Sequence, residues 1–127
     1  MSQALLNVIK EKSKHLDALR THVRHAKSRM MFNKSMRSVC AEHLRQMKAD
    51  LKQADRDGEY AMASVIRLQI NSYRIQLKDL LSNYKRTTKY IDSTYTKMGE
   101  LQDEIRELDA VAENIKAQAA AEAVSPV

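Results

Sequence analysis

Cys40 and His43 are the two residues of this chain whose types and spacing come closest to a catalytic arrangement. Side chains three positions apart are neighbours on a helix, and an imidazole beside a thiol can activate it as a nucleophile. Cys40, however, falls on the apolar face of the predicted helix, where we expect it to be a small buried hydrophobic residue. A lone cysteine forms no intrachain disulfide, which is typical of proteins in a reducing compartment.

His22 and His25 could hold one metal ion together, because they are also three positions apart. Zinc sites in proteins take three or four protein ligands. No suitable third ligand lies within one turn of this pair, and His15 is two turns away from His22. We therefore predict that the chain binds no metal ion and no other cofactor.

The sequence contains no motif of a known class of enzyme. It has no glycine-rich phosphate loop, no nucleophile elbow and no paired-carboxylate motif. Two glycines and one proline supply few of the turns from which active-site loops are made. We predict a protein without catalytic activity and without a small-molecule substrate.

Cations are concentrated in the first half of the chain. Residues 1–56 carry 13 Lys and Arg against 5 Asp and Glu, whereas residues 57–127 carry 9 against 11. In the folded hairpin inferred below, ten cations would share one mid-stem region, where they could follow a phosphate backbone. The alternative is a solvated basic face. This predicted basic band consists of Arg20, Arg24, Lys27, Arg29, Lys34, Arg37, Lys85, Arg86, Lys89 and Lys97.

Two hydrophobic repeats must position these side chains. Apolar residues recur at alternating steps of four and three, the pattern of the seam of a coiled coil. The first repeat comprises Leu5, Ile9, Leu16, Leu19, Val23, Ala26, Met30, Asn33, Arg37, Cys40, Leu44, Met47, Leu51 and Ala54. The second comprises Ile66, Ile70, Tyr73, Leu77, Leu80, Tyr84, Thr87, Ile91, Thr94, Met98, Leu101, Ile105, Leu108, Ala112, Ile115 and Ala119.

These repeats predict an all-α protein, a long antiparallel helical hairpin that forms a single domain over residues 1–122. Helices are expected over 2–56 and 59–122, with Ser2 as the first cap, a turn at 56–59 and a flexible tail at 123–127. Gly58 suits the left-handed residue that ends a helix, and Asp57 can cap the next one. The stretch Phe32–Ser35 is the weak point of the first helix. We predict one continuous helix there, bent or straight, and the alternative is a break into two.

Folding the chain at Gly58 pairs seam residues whose numbers sum to 117, and apolar residues meet in most of these layers. Four layers do not bring two apolar residues together: Arg37/Leu80, Asn33/Tyr84, Met30/Thr87 and Lys12/Ile105. The same pairing places Lys10, Lys12 and Lys14 opposite an acidic cluster in the second helix. Opposite charges beside a seam set the orientation of paired helices, so we expect these two clusters to neutralise each other.

Six apolar residues lie off the seam and form the second candidate surface. They are Phe32, Met36, Val39, Val65, Leu68 and Ile75. A two-helix hairpin cannot bury them, so they predict a further helical neighbour, either another copy in a larger helical bundle or a different protein. The alternative is a three-helix fold that covers them within the chain.

The sequence therefore predicts a non-enzymatic coiled-coil assembly or adaptor protein that acts through protein–protein contacts. The partner would be a second copy or a larger complex. The alternative function is that of a nucleic-acid or polyanion-binding accessory protein that uses the basic band. The first residues hold too short an apolar run for a signal peptide or a membrane span, so we expect no membrane association and a cytoplasmic location.

Overall fold

A computed structural model describes residues 3–124, with side chains to residue 123. Helix α1 spans Gln3–Arg56 and helix α2 spans Tyr60–Val124, and the two pack against each other as a hairpin. The described residues form no β-strand. The predicted all-α hairpin is therefore confirmed. The predicted tail begins too early, because Ala123 and Val124 still belong to α2, and its remaining residues and the Ser2 cap lie outside the described part.

Helix α1 continues without interruption through Phe32–Ser35. The alternative of two separate helices is wrong, because the seam keeps its phase across this stretch and Asn33 stays buried on it. A bend at this point, which the sequence left open, is not confirmed. One uninterrupted helix also removes the third helix that would have covered the exposed apolar residues.

The turn between the helices is built around Gly58, whose φ is +71°. The Gly58 amide donates to the Asp55 carbonyl over 3.3 Å, and the Glu59 amide donates to the Ala54 carbonyl over 2.9 Å. These two bonds form the Schellman motif, which satisfies the last carbonyls of α1. The predicted role of Asp57 is wrong: its carboxylate accepts bonds from Gln53 Nε2 at 3.0 and 3.1 Å. Glu59 instead precedes α2, and its carbonyl accepts the first helical bond, from Ala63.

We predict opposite effects of the same substitution at the two glycines. A Cβ atom added at either glycine would have no other group within 4 Å. The two sites therefore differ only in their backbone conformation. Gly58→Ala should lower the free energy of unfolding by about 1–2 kcal/mol, because its φ is left-handed. Gly99→Ala, inside α2, should raise it by about 0.5–1 kcal/mol. Urea unfolding followed by circular dichroism measures both, and two changes of equal sign would contradict the turn geometry.

The two helices contribute to two compact units. The turn unit is Ala26–Tyr90, and the terminal unit combines Met1–His25 with Ile91–Val127. In the turn unit, a core of five buried residues is extended by partly buried neighbours from both helices. The core residues are Leu44, Ala54, Ala63, Ile66 and Ile70, and their neighbours are Met47, Leu51, Tyr73 and Leu77.

The predicted register holds within each unit. His43 stacks on Tyr73 in the turn unit, and Lys12 pairs with Glu104 at 2.6 Å in the terminal unit. The residue numbers of both pairs sum to 116, one short of the predicted value, so the contacts join neighbouring positions of the same layers. Both contacts therefore agree with the register that a short turn at Gly58 predicts.

Among the described residues of the terminal unit, the expected neutralisation between the helices occurs only at Lys12 and Glu104. Lys14 instead pairs with Glu11, and Arg106 pairs with Asp103, each within its own helix. Side chains three positions apart on one helix are already neighbours, so a local partner competes with one across the seam. None of the helices within residues 3–124 is long and apolar enough to cross a membrane.

Candidate interaction surfaces

The turn unit has two sides that differ in chemistry. The six seam residues of α1 from Asn33 to Leu51 face the six of α2 from Ile66 to Tyr84. Each helical step turns the side chain by about 100°, so the residue before and the residue after a seam position lie on opposite sides of the seam. In an antiparallel pair, the residues that follow the seam on both helices share one side.

The side formed by the residues that directly follow these seam positions is strongly cationic, and we name it the Lys48 flank. Eight of its twelve residues are Lys or Arg, and none is acidic. All twelve are exposed. They are Lys34, Ser38, Ala41, Arg45, Lys48, Lys52, Arg67, Asn71, Arg74, Lys78, Leu81 and Lys85.

The side formed by the residues that directly precede the same seam positions holds no Lys or Arg, and we name it the Phe32 flank. Four of its residues are large and apolar, and two are acidic. Its twelve residues are Phe32, Met36, Val39, His43, Gln46, Asp50, Val65, Gln69, Ser72, Gln76, Asp79 and Asn83.

Surface grooves confirm that each flank draws on both helices. A groove of about 510 Å³ is lined by Lys48 and Lys52 from α1 and by Arg67, Asn71 and Arg74 from α2. On the Phe32 flank, two further grooves combine the helices in the same way. One, of about 480 Å³, joins Phe32 with Asn83, and the other, of about 320 Å³, joins Asp50 with Gln69.

A polar network at Asn33 explains how the seam tolerates two of the layers in which apolar residues were not predicted to meet, Arg37/Leu80 and Asn33/Tyr84. Asn33 is 8% exposed, and its Nδ2 donates to the Leu80 carbonyl over 2.8 Å. Its Oδ1 accepts a 2.9 Å bond from Arg37 Nε, and the Arg37 guanidinium lies 4.6 Å from the centre of the Tyr84 ring. Both halves of the amide therefore have partners, which removes the cost of burying it.

The six predicted interface residues are all exposed, but the structure divides them. Phe32, Met36 and Val39 follow one another at steps of four and three on α1, and Val65 lies on the same flank of α2. Leu68 and Ile75 are two positions before a seam residue and point further away from α1. The alternative in which the chain itself covers these side chains is wrong.

The ten residues of the predicted basic band do not lie on one surface of the turn unit. Arg37 is a seam residue over Tyr84, whereas Arg29 and Arg86 line the groove beside Phe32. Lys34 and Lys85 belong to the opposite, Lys48 flank, and Lys27 and Lys89 complete the members in this unit. Arg20, Arg24 and Lys97 belong to the terminal unit, where Arg20 pairs with Asp17 at 3.1 Å.

Cys40 is 3% exposed, as predicted for a small buried residue. Its Sγ lies 3.9 Å from Gln76 Oε1. The neighbouring His43 ring is stacked on Tyr73, with 5.1 Å between the ring centres. Within residues 3–124, no three His, Cys, Asp or Glu side chains come close enough together to hold one metal ion.

Six of the eight cations of the Lys48 flank were absent from the predicted basic band: Arg45, Lys48, Lys52, Arg67, Arg74 and Lys78. Residues that are close together along the chain, such as those of the predicted band, lie on both sides of a helix. The signal that identifies the flank is present in the sequence, because each of its cations directly follows a seam residue.

Comparison with protein-family models, with curated proteins and with solved structures gives no match for this chain.

Proposed function

We propose that this protein is a non-enzymatic assembly protein that binds a helical partner through the Phe32 flank. The observation that supports the proposal is the exposed apolar stripe on α1, where Phe32 is 68% exposed and Val39 47% exposed. Apolar side chains at steps of four and three present the same stripe that a helix uses to pack on another helix. A second copy of the chain is the simplest partner, and a larger helical bundle is the expected product.

The composition of the flank supports this assignment. Large apolar residues, a histidine and amides occupy most of its positions, and lysine is missing from all twelve. Protein interfaces are enriched in aromatic residues and methionine and depleted in lysine. Phe32 beside its groove of about 480 Å³ supplies the kind of anchor and pocket on which interfaces depend.

Light scattering of the purified, nuclease-treated protein in about 1 M salt tests the proposal, because such salt screens charges beyond about 3 Å. We expect a mass above that of the 14.6 kDa monomer. Phe32→Gln with Val39→Gln should weaken this association by at least about 100-fold, since burying each side chain contributes about 1.5–3 kcal/mol and the two losses add to about 3 kcal/mol or more. A mass of one monomer at every concentration in high salt would refute self-assembly.

The matched control is Leu68→Gln with Ile75→Gln, which also removes two large apolar side chains but from the outward side of α2. We expect this variant to associate like the original protein. If it dissociates while the Phe32 and Val39 variant does not, the interface lies on the outward side of α2, and the assignment to the Phe32 flank is wrong.

A further inference from the structure

We infer that the Lys48 flank is a second binding surface, which takes the phosphate backbone of a double-stranded nucleic acid without reading its sequence. This function goes beyond assembly and does not depend on it, because the surface lies on the opposite side of the seam from Phe32. The turn unit as a whole carries 14 Lys and Arg against 6 Asp and Glu.

The arrangement of the cations supports a linear polyanion. From Lys34 to Lys52 on α1, and from Arg67 to Lys85 on α2, the flank extends over about 27 Å at 1.5 Å per residue. Eight cations over that length, of which Arg45 and Arg67 pair with Glu42 and Asp55, give roughly one cationic side chain every 3–4 Å, against one negative charge per 1.7 Å of duplex. The flank could therefore contact phosphates along roughly eight base pairs, at 3.4 Å each.

Repulsion between the cations of the Lys48 flank indicates that the flank binds an anion. Lys48 and Lys52 share one groove with Arg67 and Arg74, although pairs beside a seam usually carry opposite charges. Within this groove only Arg67 has a carboxylate partner, Asp55 at 3.3 Å, among the ion pairs of the described residues. Like charges that face each other across a helix pair destabilise it, and a bound phosphate backbone would reverse the sign of that effect.

The uncharged residues of the Lys48 flank indicate which class of polyanion it binds. None of its twelve residues is aromatic, so it has no platform on which unpaired bases could stack, and a duplex fits better than a single strand. Leu81 is its one large apolar residue, whereas protein interfaces are built on apolar and aromatic anchors. An acidic protein partner is therefore the less favoured ligand.

Fluorescence anisotropy with a labelled DNA duplex of about 24 base pairs, three times the span of the flank, tests the inference. We expect the duplex to bind more tightly than its single strand. The logarithm of the binding constant should fall with the logarithm of salt concentration by about 0.9 for each phosphate contacted. Polyglutamate of similar length serves as the acidic competitor and should displace the duplex only weakly.

Two triple variants with the same change in net charge locate the surface. Lys48→Gln, Lys52→Gln and Arg74→Gln should make the salt slope less steep by about 2.7, which corresponds to three lost contacts. Arg29→Gln, Arg86→Gln and Lys89→Gln remove three cations outside the flank and should leave the slope unchanged. Equal effects of the two triples would overturn the inference, because binding would then follow net charge alone.

Two further outcomes would also overturn it. If polyglutamate binds and the duplex does not, the ligand of the flank is an acidic protein. If neither binds, the Lys48 flank is a solvated basic face. The Phe32→Gln and Val39→Gln variant should still bind the duplex as a monomer, so failure of this inference is separate from failure of the assembly proposal.

Discussion

Ile70→Ala should lower the free energy of unfolding by about 3 kcal/mol, within the range measured for buried aliphatic residues that are truncated to alanine. Ile70 is 5% exposed and lies in the core of the turn unit with Leu44 and Ile66. Truncation removes apolar surface from contact and leaves a cavity that two rigid helices cannot close easily. Urea unfolding at concentrations where the protein is monomeric measures the change.

Ile75→Ala provides a control with the same chemical change. Ile75 belongs to the same helix but is 54% exposed, so the truncation should change the stability by no more than about 0.5 kcal/mol. If the two variants lose equal stability, Ile70 does not occupy a core position, and the antiparallel register described here cannot be correct.

Asn33→Ala should lower the free energy of unfolding by about 1–3 kcal/mol, which is the usual cost of removing one member of a buried hydrogen-bonded set. The substitution takes away the 2.8 Å bond to the Leu80 carbonyl and the acceptor for Arg37 Nε. Arg37 then loses the group that helps to hold its guanidinium over Tyr84. Ser35→Ala, at an exposed position two residues away, is the control and should be nearly neutral.

A double-mutant cycle with Arg37→Ala tests whether these residues act as a unit. Because Asn33 and Arg37 contact each other, the stability loss of the double variant should be smaller than the sum of the two single losses by about 1 kcal/mol. Additive losses would mean that Asn33 acts through the Leu80 carbonyl alone and that Arg37 contributes independently.

The fold could be predicted because its determinants are local and repetitive. A seam in constant phase, interrupted only at Gly58, defines the helices, the turn and the register together. The details that the prediction missed depend on competition between nearby partners. Asp57 binds Gln53 on its own helix, and Lys14 binds Glu11, because a neighbour one turn away is always within reach.

The candidate surfaces were predicted less well, for a geometric reason. Exposure of Phe32 and Val39 follows from their positions off the seam, and it was predicted correctly. The basic band, by contrast, combined Arg86 with Lys85, although adjacent residues on a helix point about 100° apart. Sorting each cation by whether it precedes or follows a seam residue would have separated the two flanks from the sequence alone.

Because the helices are joined as a hairpin, the segments of α1 meet their partner segments of α2 in a fixed order during synthesis. Ala54 can meet Ala63 soon after the Gly58 turn is made, whereas Lys12 must wait for Glu104, which is made 92 residues later. At about 5–20 residues per second, the translating ribosome needs roughly 5 to 20 s to add that stretch. The segment of α1 that is synthesised first is therefore the last to find its partner, and its apolar seam stays open throughout that interval.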